Sequence, residues 1–235
     1  MASSVAPNIV TDGLVLALDA ANTKSYPGSG TNIKDISGNG NDGTLTNGPT
    51  YDTTFKGAFD LDGSNDAIVT PITASNWAEV PFSIQLWTSD CTINDSVFVM
   101  ASDGGTNNLG FVGAYWSTAD QIFFFWRASN PVGVGMYITV PHDRTQPNNI
   151  CVTFTGIGGI DGTTLKNNTT IYLNGVSHSI GTGGGAGAPY HSALHLGGGN
   201  YPLNGKIHNT YYYNRVLSAE EVLQNYNATK GRFGL

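Results

Sequence analysis

Hydrolysis of a glycosidic bond needs two carboxylates about 5–9.5 Å apart, one acid and one base or nucleophile. This chain is poorly supplied with such pairs. It has three glutamates, Glu79, Glu220 and Glu221. The last two follow Ser218 closely and read as helix-capping groups. Asp60 and Asp62, two apart in a strand-like run, share a face but lead straight into a turn. Ser-His-Asp chemistry has no G-x-S-x-G turn to carry it. The chain is therefore expected not to be an enzyme.

Cation binding has better raw material. Hard cations such as Ca²⁺ take several oxygens from carboxylates, amides and carbonyls. Asp19, at the end of the first strand-like run, and Asp35, Asn39, Asn41 and Asp42, in a loop able to fold over it, form that kind of set. The competing reading is that these Asn and Asp residues close turns. No cofactor is required, and Ca²⁺ is the candidate ion. Zinc is not expected. His191 and His195 would lie about 13 Å apart along a strand, and His142, His178 and His208 read as surface or loop residues. The Gly-rich stretch 181–187 lacks the Lys-Ser/Thr of a phosphate loop.

Sugar recognition uses aromatic faces for stacking and Asn, Asp and Gly for hydroxyl hydrogen bonds. The loop-placed candidates are Tyr26, Trp77, Trp116, Tyr190 and Tyr201, with Asn107, Asn108 and Asn200. Packing in the core or at its rim competes for each ring.

The elements that must position these residues are strands. Residues 13–19 form an apolar run expected to be buried on both faces. Residues 57–62 alternate, and the turn at 63–66 reads as a hairpin into 67–70. Residues 82–88 alternate with Phe82, Ile84 and Leu86 on one face. Three aromatic-rich strands are expected over 109–116, 121–127 and 132–140, then strands over 150–155, 170–176 and 193–197. Asn174-Gly175 is a type I′ turn pair. A strand over 206–213 leads to the one helix expected. Ser218 is its N-cap, Glu221 completes a capping box, Val222, Leu223 and Tyr226 make its apolar stripe, and Gly231 ends it.

Composition agrees with a single all-β domain. There are 31 glycines in 235 residues and 11% charged side chains, as in a sandwich with many tight turns. The net charge of −7, with no basic run, excludes nucleic acid as a partner. No apolar stretch approaches the roughly 20 residues of a membrane span, so no membrane insertion is expected. The N-terminus lacks the basic and apolar regions of a secretory signal peptide. Residues 1–11 read as an arm, either frayed or docked on a neighbouring subunit. Cys91 and Cys151 read as small buried apolar side chains rather than a disulfide.

In order along the chain stand G-L-V-L-A-L-D (13–19), D-I-S-G-N-G-N-D-G-T (35–44), G-A-F-D-L-D-G-S-N-D (57–66) and F-S-I-Q-L-W (82–87). I-Y-L-N-G-V (171–176), L-H-L-G-G (194–198), N-G-K-I (204–207) and Y-N-R-V-L-S-A-E-E-V (213–222) follow. In order and spacing, from about residue 12 to 229, they resemble the laminin-G-like branch of the concanavalin-A-like lectin/glucanase superfamily. The resemblance implies a two-sheet antiparallel jelly-roll β-sandwich with a short C-terminal helix, over residues 12–235 after the arm at 1–11. The E-x-D-x-x-E strand of the glucanase branch is missing. Where family members often carry acids, this chain has His208 and Asn209. The ending Q-N-Y-N-A-T-K-G-R-F-G is similar to versions found in bacteriophage virion proteins. It implies a non-enzymatic virion structural protein, a capsid decoration or head/tail fibre component. Such a protein is assembled in the host cytoplasm against itself or other virion proteins. The alternative implied is a carbohydrate-binding module for a host surface glycan.

Overall fold

The computed structural model describes residues 7–73, 77, 80–92, 96–102, 110–115, 121–127, 133–156, 162–183, 193–198 and 202–235. In chain order the strands are β1 (Leu14–Asp19), β2 (Asn32–Ile33), β3 (Gly43–Thr46), β4 (Thr50–Asp52), β5 (Ala58–Asp62) and β6 (Ala67–Val69). Then come β7 (Phe82–Ser89), β8 (Ser96–Ser102), β9 (Gly110–Tyr115), β10 (Gln121–Arg127), β11 (Gly133–Thr139) and β12 (Asn148–Phe154). Helix α1 (Gly162–Asn167) precedes β13 (Thr169–Leu173), β14 (Val176–Ser177), β15 (Gly181–Gly183), β16 (His195–Gly197) and β17 (Asn204–Tyr213). Helix α2 (Ala219–Thr229) runs into a 3-10 turn, Lys230–Phe233.

Every described strand pairing is antiparallel, save one isolated bridge between Val97 and Pro202, and the strands form two sheets. Sheet A runs β14-β13-β12-β7-β17-β5-β4. The ten-residue β17 holds β5 beside its first half and β1 beside its second, so both lie on the same edge of it. Sheet B has nine strands, β15-β11-β10-β9-β8-β16-β6-β3-β2. This is the two-sheet sandwich with a short C-terminal helix. Between the sheets, alternate residues interdigitate. Phe82, Ile84 and Leu86 of β7 meet Phe111 of β9 and Phe124 and Trp126 of β10. Phe82 stacks on Phe111 at 4.8 Å, and Trp126 lies 4.3 Å from Phe154.

The outer face of sheet A is also covered. Ser83, Gln85, Trp87 and Ser89, on the polar side of β7, are all buried. Ser218 caps α2 as expected: its Oγ accepts from Glu221 N at 3.3 Å, and Glu221 Oε2 accepts from Ser218 N at 2.8 Å. Arg215 then grips the same carboxylate in a fork at 2.8 and 2.6 Å. The expected stripe is corrected. Val222 is buried, but its partner on the packed face is Asn225, while Leu223 is 43% exposed. Asn225 Nδ2 donates to Gln85 Oε1 and Tyr213 Oη, and its Oδ1 accepts from Val10 N at 2.8 Å. Trp87 is sandwiched between Tyr226 and Phe233, at 5.6 and 4.2 Å. Gly231 does not end the helical path. The chain tightens to a 3-10 turn and stops at Gly234, whose φ is +79°.

Four more expectations change. Residues 7–12 dock on their own domain: Val10 and Asn8 are held by Asn225, Tyr213 and Gln224, and Asp12 by Arg215. The turn at 63–66 is not a hairpin, because β5 belongs to sheet A and β6 to sheet B. Leu61 and Ile68 both point into the core, which requires the chain to cross between layers. Helix α1 was not expected. Six residues are too few to show a period, and it is held by buried Leu165 and by Asn168 and Thr169 bonding back to Thr164 and Leu165. His208 is neither a surface nor a loop residue. It is fully buried at a β-bulge of β17, its Nδ1 donating to Gly57 O at 3.1 Å and its Nε2 paired with Ser89 Oγ at 2.9 Å. Cys91 and Cys151 are free thiols in separate clusters, and burial pushes the Cys91 thiol up to about 12.

Candidate functional site

Among the described strands β1 pairs only with β17, so its other edge needs other partners for its backbone groups. The loop 35–42 satisfies them. Ala17 N donates to Asp35 Oδ1 at 2.9 Å, and Ile36 N donates to Ala17 O at 2.9 Å. Asn39 Nδ2 donates to Leu14 O, and Asn41 Nδ2 to Val15 O, both at 2.9 Å. Asp35 also accepts from Ser37 N, Ser37 Oγ and Asn41 N. Asp42 accepts from Asp35 N and from Lys34, whose ammonium holds that carboxyl below its ordinary value. The structure therefore brings Asp35, Asn39, Asn41 and Asp42 together as an edge cap. Asp19 goes elsewhere: its Oδ1 meets Arg232 Nη1 at 2.6 Å and Ala21 N at 2.9 Å. These oxygens face N–H and ammonium donors, and an ion would have to displace them.

The aromatic candidates divide. Trp77 has no exposed surface and is a core residue, edge-on to Phe82, Phe111 and Tyr212. Tyr26 is also buried, between Tyr51 and Phe59, with its hydroxyl on Gly30 O. Large apolar rings gain more from the core than from a loop surface, so neither can stack on a sugar. Trp116, Tyr190, Asn200 and Tyr201, like Asn107 and Asn108, lie outside the described residues.

The carboxylates of sheet A are also engaged. Lys206 bridges Asp52 and Asp90 at 2.8 Å each and stands opposite Asp60 in the ladder. Burial raises the Asp60 carboxyl above its ordinary value. Asp62 accepts from Ser64 N and so closes the turn after β5.

One polar region differs. Where α1 meets the β13–β14 hairpin there is an open cleft of about 370 Å³, lined by Lys166, Asn167, Thr169, Thr170, Ser177, His178, Ser179 and Ile180. The hairpin turn beside it has the expected I′ form, with φ of +52° at Asn174 and +81° at Gly175. No signal in the sequence marked this cleft: its residues lie close along the chain, but they face one another only once the unforeseen helix α1 has formed beside the hairpin.

With fold and geometry in hand, comparison with known proteins is decisive for the family. A laminin-G-like model of the concanavalin A-like lectin/glucanases superfamily matches residues 62–223. The chain belongs to that superfamily. No curated protein matches it by sequence. Among solved structures, the botulinum neurotoxin serotype D binding domain superposes with a TM-score of 0.65 at 13% identity, over 92% of this chain and 52% of that one. The type G receptor binding domain gives 0.62 at 14%, over 92% and 51%. This chain thus spans about half the length of these toxin domains. Domain 4 of AbnA, an extracellular arabinanase of Geobacillus stearothermophilus, in complex with arabinotriose, gives 0.61 at 17% identity, over 91% of this chain and 98% of that domain. At such identities the likeness is one of fold. The molecule is a lectin-like jelly-roll domain.

Proposed function

We propose that this domain is a non-enzymatic module that recognises a carbohydrate, carried on a bacteriophage particle. The observation that carries the reading is where the carboxylates are. The strands of nine-stranded sheet B contain no Asp or Glu. Those of sheet A hold Asp19, Asp52, Asp60 and Asp62, and each is bound to a cation or a turn amide or, for Asp60, stands opposite a lysine. Glu220 and Glu221 serve the start of α2. Among the carboxylates of the described strands and of α2, no pair stands free for acid–base work. Superfamily membership and the near end-to-end superposition on a domain solved with arabinotriose support a saccharide as ligand. A host surface glycan would be that ligand on a particle.

The virion setting rests on the resemblance of residues 224–234 to phage virion sequences. There the domain would pack against copies of itself or other virion proteins. The arm contributes less to such packing than its sequence suggested, since residues 7–12 are committed within the chain. Calcium is not needed in this reading, because the loop 35–42 is closed by hydrogen bonds.

A glycan array on the purified chain, with calcium and with chelator, tests the proposal. Specific binding in both buffers, without turnover of the bound glycan, is expected. A silent array, with a discrete oligomer in solution, would replace recognition by a purely structural role. Glycan cleavage lost on Asp60→Asn would overturn the non-enzymatic reading.

A further inference from the structure

We propose that the cleft between α1 and the β13–β14 hairpin is the saccharide site and that it takes an acidic sugar, a pyranose carrying a carboxylate. The inference rests on the reading of the domain as a carbohydrate-recognition module. Three observations carry it.

The first is that the walls are fixed. Leu165 roots α1 in the core, and Thr155 Oγ1 donates to Asn168 Oδ1 at the helix end. His178 N donates to Ile171 O at 3.1 Å, prolonging the hairpin, and Ile180 packs against the core. A site held by paired backbone loses little freedom when it binds.

The second is that the polar heads are unspent. Among the described residues, no protein group bonds the side-chain heads of Lys166, Asn167, Thr170, Ser177, His178 and Ser179. This contrasts with the 35–42 loop, where each Asn and Asp side chain has a partner. Hydroxyls and an amide both donate and accept. A polyol needs both, whereas a phosphate only accepts. Ile180 adds an apolar surface for the C–H face of a ring.

The third is charge. The chain carries −7, yet no acid stands between residues 162 and 219, and among the described residues none lines the cleft. Among the described carboxylates, Glu220 acts on Tyr172, the cross-strand partner of Ser177, and is held by Ser218 Oγ at 2.9 Å. Lys166 therefore brings a positive charge, and His178 an imidazole able to donate a hydrogen bond, to a cleft lined by no acid among the described residues. A carboxylated sugar matches it, with hydroxyls for the remaining heads.

The test is an amide NMR titration of the full chain with methyl glucuronide and, as its neutral counterpart, methyl glucoside. The glucuronide should shift amides of 164–180, and the glucoside should bind about tenfold more weakly or worse, a difference of about 1.4 kcal/mol. Lys166→Ala with His178→Ala should remove that preference, and Lys166→Arg should keep most of it. Equal shifts with both sugars, shifts mapping elsewhere, or an unweakened double variant would overturn the cleft assignment. If neither sugar binds while the array shows a bound glycan, the cleft inference falls and the recognition reading stands. Silence on both removes both.

Discussion

The outer face of sheet A has a sealed centre and an open rim, and both are built from polar residues. At the centre, Gln85, Asn149, Tyr213 and Asn225 lie under α2 and the arm, bonded to one another and to Val10, Val222 and Leu86. At the rim, Thr170 and Ser177 lie beside Tyr172 on the same sheet, and their hydroxyls have no protein partner among the described residues. Burial explains the difference. A polar group removed from water costs about 1–3 kcal/mol if left unpaired, so the sealed residues must find partners within the chain. Residues at the rim are paired by water and stay available to a ligand.

Breaking the sealed side should have the largest effect. Asn225→Ala leaves Val10 N and Gln85 Oε1 without a partner under the helix. A loss of about 3 kcal/mol is expected, read as a lower urea midpoint with unchanged slope, together with loss of protection at the Val10 amide.

Acid should attack the same side next. His208 is held neutral by burial, with its pKa pushed down to about 4. The unfolded chain takes up that proton near pH 6.5 and the folded chain does not, so stability is full above 6.5 and falls as pH drops towards 4. At about 1.4 kcal/mol per unit the loss approaches about 3 kcal/mol. Urea midpoints between pH 7 and 4 should show it, with a shallower dependence in His208→Gln.

A smaller effect is expected from the edge loop. Asp35→Asn keeps the shape of the cap but replaces one charged acceptor by an amide nitrogen, costing about 1–2 kcal/mol in thermal unfolding. Excess chelator or added calcium should leave the wild-type Tm unchanged. A rise with calcium would show that the ion displaces those donors.

At the rim the effect should be smallest. Lys166→Ala and His178→Ala should each change stability by less than about 0.5 kcal/mol. A larger loss would mean that the cleft residues, like those of the sealed face, serve the fold.

Local chemistry was legible in residue order. The Ser218–Glu221 box, the Asn174-Gly175 turn, the alternation of Phe82, Ile84 and Leu86 and the family motifs all stand where the sequence puts them. Each depends on neighbours within a few residues, or on a period of two. Readings that needed a distant partner went astray. Trp77 looked like a loop aromatic until Phe82, Phe111 and Tyr212 closed round it. His208 looked exposed until the bulge turned it under Phe55 and Phe233. Asp19 looked like a ligand until Arg232, 213 residues away, took its carboxylate.

By itself, then, the sequence determined an all-β chain with one capped C-terminal helix, because propensity, alternation and capping are short-range, and the order of its motifs carried the resemblance to this superfamily. Only the tertiary structure decided which sheet each strand joined, which polar groups were consumed and which were left at the surface. Those outcomes depend on what packs over a residue, and residues such as Val10 and Asn225 meet only once the chain has folded.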